Sequence, residues 1–228
     1  RALVRSTLSR YSATPPEAWR FVLGEHGCPF IAPDQNPEGL RFNLSHTTGL
    51  IVLAVTRGRD VGVDVEYEPR KSKTAQIADR FFAPPEVTAL HRLPESAQRE
   101  RFFAYWTLKE AYIKGRGMGL AIPLKHFWFD VDTPGRVHFD NDPSLADDPR
   151  TWSFVRLRPS AAHPLAIGLR CPPARPFTVR TFRTTPLEHA TEETLEEVAR
   201  SVSPDPEYVP PPAPAGAYPD VNGGADDT

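Results

Sequence analysis

Apolar residues recur along this chain at two different intervals, and the changes between them mark out its elements. Near the start, Leu3, Val4 and Leu8 fall at helical spacing, so residues 1–12 are expected to form an amphipathic surface helix. A Pro/Gly-rich section, "GEHGCPFIAPDQNPEG", follows. Then "RFNLSH", "GLIVLAVTR" and "DVGVDVEYE" read as three strands separated by turn residues. In the last of these, Val61, Val63 and Val65 alternate with Gly62, Asp64 and Glu66. That is the two-residue period of a strand with valines in a core and both carboxylates on the other face. Residues 74–82 and 84–92 read as short helices punctuated by Pro84 and Pro85. A long helix is expected from about Glu95 to Lys114, with Phe102, Phe103, Trp106 and Ile113 at core spacing and Gly115 or Gly117 as its C-cap. After Pro123 the strand pattern returns in "HFWFDVD", "GRVHFD", "TWSFVRLRP", "PLAIGLR" and "FTVRTF", and a short acidic helix is expected over 191–201.

Strands, then helices, then strands predict an α+β fold with antiparallel sheet. "LSHTTGLIVLAV" and "PSAAHPLAIGLR" echo one another, each a turn leading into an apolar strand, which suggests two similar halves. The divisions expected are 1–57, 58–186 and an acidic tail over 187–228. That tail ends in "VPPPAPAGAYPDVNGGADDT", too poor in apolar surface to order itself. The longest apolar run, Leu50 to Val55, is far short of a membrane span, so no membrane role is expected. The opening "RALVRSTLSRY" is Arg- and Ser-rich and lacks acids, as a transit peptide does, but its apolar spacing favours the surface helix.

Composition changes the picture in two ways. The 228 residues hold two cysteines, Cys28 and Cys171, with no CxxC and no Cys/His metal spacing, which excludes a disulfide scaffold and suits a reducing cytoplasm. The formal net charge of −2 conceals an asymmetry: residues 187–228 carry ten acids and one arginine, leaving 26 bases and 19 acids before them. A basic body favours an acidic partner such as a nucleic acid, a phosphorylated metabolite or an acidic protein.

Three stretches hold candidate chemistry. Asp64 and Glu66 lie about 6.7 Å apart on one strand face. Their repulsion costs about 0.6 kcal/mol in water and roughly 2.4 kcal/mol at an effective dielectric of 20. A solvated strand face explains such a pair; a hard divalent cation, which prefers carboxylate oxygens, explains it too. In "WTLKEAYIKGRG", Glu110 and Lys114 share a helical face and Lys109 is adjacent: a surface ion pair, or a metal ligand or base next to a phosphate-binding lysine. In "FNLSHTTG", Ser45, His46, Thr47 and Thr48 form either an ordinary polar turn or an anion site. The remaining histidines suggest no role beyond surface or core. No P-loop, G-x-G-x-x-G, H-E-x-x-H or G-x-S-x-G is present.

Taken together, "FNLSHT" at 42–47, "VGVDVE" at 61–66, "RFFAPPE" at 80–86 and "YWTLKEAYIKGRGMGL" at 105–120 resemble the Sfp-type 4′-phosphopantetheinyl transferases. These enzymes move phosphopantetheine from coenzyme A to a serine of an acyl or peptidyl carrier protein in fatty-acid, polyketide and nonribosomal-peptide synthesis. The resemblance covers about residues 1–183. It implies a fold of two similar α+β halves, each an antiparallel sheet packed with a long helix, with the cofactor between them. Asp64, Glu66 and Glu110 correspond to ligands of Mg²⁺, with Mn²⁺ an alternative. Glu110 and Lys114 correspond to the catalytic pair, Lys109 and Lys114 to diphosphate contacts, and Asn43, Ser45 and His46 to the segment that holds phosphates of coenzyme A. Gly27, Cys28, Pro29, Phe30 and Ile31 match the segment that lines the adenine, and Arg1 an arginine near the nucleotide.

Two departures stand out: family members usually carry a further basic segment before the position of Arg1, and Cys28 replaces a common lysine. The implied protein is a cytoplasmic monomer that binds no nucleic acid. A noncatalytic interaction module and a Mg²⁺-dependent phosphohydrolase or nuclease remain compatible with the same acids.

Overall fold

In the computed structural model, which describes residues 1–175 and 177–201, the opening segment is helical over Ala2–Leu8 (α1), shorter than the expected 1–12. Leu8 buries itself against Trp19, Ile31 and Leu40 in a small N-terminal core. Two hairpins follow: β1 (Phe21–Leu23) with β2 (Pro29–Ile31), and β3 (Leu40–Thr47) with β4 (Leu50–Arg57). Then come β5 (Val61–Val65), α2 (Thr74–Phe81), α3 (Pro84–His91) and α4 (Glu95–Arg116). Pro84 opens α3 at the position where its missing N–H costs nothing. Of the two candidate caps, Gly117 takes the left-handed conformation that ends α4, and Gly115 stays inside the helix.

The second half supplies β6 (Phe127–Asp130), β7 (Gly135–Asn141), β8 (Ser153–Ser160) and β9 (His163–Leu169), close to the expected runs. Beyond them the sequence reading needs correction. "FTVRTF" forms a strand only from Thr181 (β10, Thr181–Thr185), while Phe177 and Val179 pack loosely on the core. The acidic stretch expected as a helix over 191–201 is instead β11 (His189–Glu193), which closes a hairpin with β10, and β12 (Glu196–Ser201). Its helix-forming glutamates yield to tertiary context. β12 lies between β8 and β7, and Ser201 Oγ accepts the Phe154 N–H at 3.0 Å. Residues 187–201 are therefore ordered strand and turn, and the Pro-rich stretch from 202 lies outside the described residues.

The main sheet runs β5-β9-β8-β12-β7-β6, antiparallel throughout except for the parallel β12–β7 pair. Helix α4 crosses one face of it and seals the largest core, which includes Phe102, Tyr112, Phe127, Phe129 and Phe154. The helix therefore covers the face of β5 expected to meet water, and Val61 to Val65 are all buried.

This covering depends on glycine. A Cβ built on Gly62 of β5 would stand 1.9 Å from the Ala111 carbonyl oxygen and 2.4 Å from the Gly115 nitrogen, both on α4. A Cβ on Gly115 would stand 2.8 Å from the Trp152 ring. The backbones of helix and strand thus touch where a side chain would hold them apart. Gly62→Ala is expected to lower the unfolding free energy by at least about 2 kcal/mol, read as a drop in urea midpoint. Gly135→Ala has no atom within 4 Å of the added methyl and is resisted only by a φ of 75°; it is expected to cost about 1 kcal/mol. A Gly62→Ala protein as stable as the parent would contradict the close packing.

Candidate functional site

The site forms where β5 has an edge left over. One edge pairs with β9; along the other, two N–H groups are met by side chains of β3 in place of a backbone ladder. Val63 N–H donates to Asn43 Oδ1 at 3.0 Å, and Val65 N–H to Ser45 Oγ at 3.4 Å. Asn43 and Ser45 stand two residues apart on β3, so the strand period points both at the seam.

Ser45 then carries the seam into the acidic face. Its hydroxyl donates to Asp64 Oδ1 at 2.9 Å and accepts from Lys114 Nζ at 3.1 Å, while Lys114 Nζ also donates to Asp64 Oδ1 at 2.6 Å. Asp64 is 5% exposed, and burial pushes its carboxyl up despite the attraction of Lys114. Its second oxygen, Oδ2, is buried and has no hydrogen-bond partner. A buried carboxylate oxygen with free lone pairs suits a hard cation.

The two glutamates lie within electrostatic reach. Glu66 pairs with Arg70 at 2.9 Å; burial, then the charge of Asp64, pushes its carboxyl up. Glu110 is also pushed up, first by burial and then by Asp64, with Lys114 acting in the opposite sense. Trp106, Glu110 and Lys114 recur every four residues, so one stripe of α4 faces this corner. As placed, no three His, Cys, Asp or Glu side chains among the described residues gather closely enough to hold one ion. The donor chemistry fits a dication at Asp64, with Glu66 and Glu110 beside it rather than already closed around it.

Other expected residues divide. Phe30 reaches the end of α4: its ring lies 3.8 Å from the Cβ position of Gly117, with the Arg41 guanidinium 5.9 Å from its centroid. Gly27 turns the β1–β2 hairpin at a φ of 77°, Cys28 is half-buried with its thiol pushed up by burial, and Pro29 and His46 are exposed. Ile31 faces the N-terminal core and is closed to a ligand. Arg1 is exposed at the head of α1. Asn43 and Ser45 are committed to protein groups. Lys109 is not brought to the site: it is completely buried, bonded to Glu86 at 2.7 Å, because residues 109 and 110 point about 100° apart around a helix.

Sequence reasoning missed Glu86, although it ends the "RFFAPPE" run and its place three residues after an N-cap is a readable signal. It also missed Arg70, four residues after Glu66. Nothing in the sequence marks Asp147, a loop residue that accepts from Tyr112, Trp152 and Arg116.

Comparison with known proteins places these residues in context. The model of the 4′-phosphopantetheinyl transferase superfamily matches residues 60–168, which contain Asp64, Glu66, Glu110 and Lys114. The 4′-phosphopantetheinyl transferase HetI of Nostoc sp. is 39% identical over 159 residues, 70% of this chain and 64% of that protein. A 4′-phosphopantetheinyl transferase of Bacillus subtilis is 31% identical over 168 residues, 71% of each chain. The Bacillus subtilis transferase Sfp is 34% identical over 138 residues, 60% of this chain and 59% of its own length. The chain thus spans less than two thirds of HetI and of Sfp.

Because the Ser45 hydroxyl serves Asp64, Lys114 and Val65 N–H at once, Ser45→Ala is expected to cost about 1–3 kcal/mol of stability with no ligand present. Chemical denaturation checks this, and an unchanged midpoint would show that the hydroxyl does not hold the seam.

Proposed function

The chain belongs to the 4′-phosphopantetheinyl transferase superfamily, and from that membership we propose that it transfers 4′-phosphopantetheine from coenzyme A to a serine of an acyl or peptidyl carrier protein. The observation that carries this reading is the buried Asp64, tied to Ser45 and Lys114 through one oxygen and left open at the other. In the reaction, the serine oxygen forms a bond to the β-phosphorus. The bond from that phosphorus to the bridging oxygen breaks, and adenosine 3′,5′-bisphosphate departs. Phosphoryl transfer asks mainly for positioning and charge stabilisation.

Asp64, Glu66 and Glu110 would hold Mg²⁺, or Mn²⁺ in its place, which when bound neutralises charge on the diphosphate. Lys114, one helical turn beyond Glu110, meets the diphosphate and stabilises the departing phosphate. Glu110 accepts the proton of the attacking serine, directly or through a water. His46, exposed beside Ser45, contacts phosphate, and Gly27 to Phe30 line the nucleotide next to the end of α4. The basic body steers an acidic carrier domain toward the site.

Two similar halves belong to the same proposal, with two departures from the expected division: the first, 1–57, has the seven-residue α1 where a long helix was expected, and the second, expected to end at 186, runs on to β12. The two segments that echo in sequence are both hairpins, β3–β4 and β8–β9, and their turns meet where His163 Nε2 donates to the Thr48 carbonyl at 2.9 Å. A monomeric, cytoplasmic protein completes the reading. Among the described residues, no helix is long and apolar enough to cross a membrane.

Intact-mass analysis of an apo carrier protein incubated with coenzyme A, magnesium and this chain tests the proposal. The expected result is a phosphopantetheine mass gain, abolished by a chelator. Glu110→Ala is expected to slow transfer at least about a hundredfold with an unchanged circular dichroism spectrum. No mass gain on any carrier, or free phosphopantetheine released without one, would overturn the transferase reading. A near-normal rate in the variant would remove Glu110 from the mechanism.

A further inference from the structure

The most deeply buried charges in this protein lie outside the Asp64 network. Neither Glu86 nor Lys109 has any exposed side-chain surface, and their charged atoms are 2.7 Å apart. Each of the three ammonium hydrogens of Lys109 has an acceptor: Glu86 Oε2, the Leu124 carbonyl at 2.8 Å and the Phe127 carbonyl at 2.6 Å. Both oxygens of Glu86 are engaged as well. Its Oε2 also accepts the Ala83 N–H at 3.1 Å, and its Oε1 accepts the Phe129 N–H at 3.0 Å. The ammonium sits 4.3 Å from the Phe127 ring centroid. The ammonium has no hydrogen left for a ligand, and neither side chain is exposed to one.

Its reach is structural. One ion pair joins the start of α3, the middle of α4, the turn before β6 and β6 itself. A second anchor acts further along the same helix, where Asp147 accepts from Tyr112 Oη at 2.9 Å and from Arg116 Nη1 at 3.0 Å. Lys109, Tyr112 and Arg116 follow helical spacing on one stripe of α4, and Trp106, Glu110 and Lys114 on another. Apolar packing tolerates a helix that turns by a fraction of a step; three directed bonds from one ammonium do not. Buried ion pairs are often poor sources of stability, because desolvation consumes the attraction, and their best-attested use is to fix register.

We infer that Lys109, locked to Glu86, is a positioning residue for the transfer reaction: the pair sets the rotation of α4 at which Glu110 and Lys114 face Asp64. This rests on the transferase reading of that corner. It removes Lys109 from contact with the diphosphate and gives the glutamate of "RFFAPPE" a function at a distance from the chemistry.

Three variants test it: Glu86→Gln, Lys109→Met and the double replacement, which avoids leaving one charge buried alone. With apo carrier and coenzyme A, the expected result is a fall in kcat of at least tenfold in each variant. KM for coenzyme A should stay within twofold, and the double should be no worse than the worse single. Hydrogen exchange should speed up at the amides of residues 109–114 in the double variant. A raised KM for coenzyme A in Lys109→Met with Glu86→Gln silent would overturn the inference in favour of direct contact. A parental kcat in the folded double variant would overturn it in favour of a purely stabilising pair. If the parent protein itself transfers nothing, the transferase reading fails, and unchanged exchange in the double variant would still refute the hold on α4.

Discussion

The contact on which the rest of this structure depends is the meeting of two backbones, β5 and α4, at Gly62. A methyl group there would lie inside the Ala111 carbonyl, so any other residue would push the helix away from the sheet. Two residues along the strand, on the same face, stands Asp64; on the helix, one residue before Gly115, stands Lys114. Close approach at the glycines is what brings these two charges to 2.6 Å without either side chain having to stretch. The same contact explains why the carboxyls of Asp64 and Glu110 both rise: the helix that delivers Glu110 also excludes water from the strand.

A second constraint lies across the strand. β3 and β5 run side by side without a ladder, and Asn43 and Ser45 supply what backbone carbonyls would otherwise provide. The outward N–H groups of Val63 and Val65 are thereby satisfied. Ser45 takes part in both the seam and the charged cluster, so the position of the β3–β4 hairpin and the placement of Asp64 are one structural variable. A site assembled this way draws on three elements distant in sequence, each fixed by a neighbour rather than by its own propensity.

Much of this was legible beforehand where local pattern and tertiary role agree. The strand period put Asp64 and Glu66 on one face, and helical spacing put Glu110 with Lys114. Motif likeness then linked stretches that periodicity alone left separate. The misreadings have physical causes. Alternation in "VGVDVE" identifies a strand but cannot say whether water or a helix covers its polar face. Lys109 sits next to Glu110 in a charged run, and only the helical rotation of each residue separates a core ammonium from a site carboxylate. The stretch around Glu192 to Glu197 reads as helix because glutamates favour helices, yet cross-strand pairs with Arg180 and Arg183 and a slot in the sheet outweigh that preference. Asp147 is invisible in sequence because its four donors come from α4, a loop and the end of β9.

The placement of β12 governs when the fold can be finished. It enters between β8 and β7, antiparallel to one and parallel to the other, so without residues 196–201 the sheet is two separate pieces. During synthesis, β5, β9 and β8 can associate early, but their junction with β7 and β6 must wait for a stretch of chain that leaves the ribosome after all of them. The newborn protein therefore holds an open slot at the middle of its sheet, with the Phe154 N–H lacking its Ser201 partner, until β12 arrives.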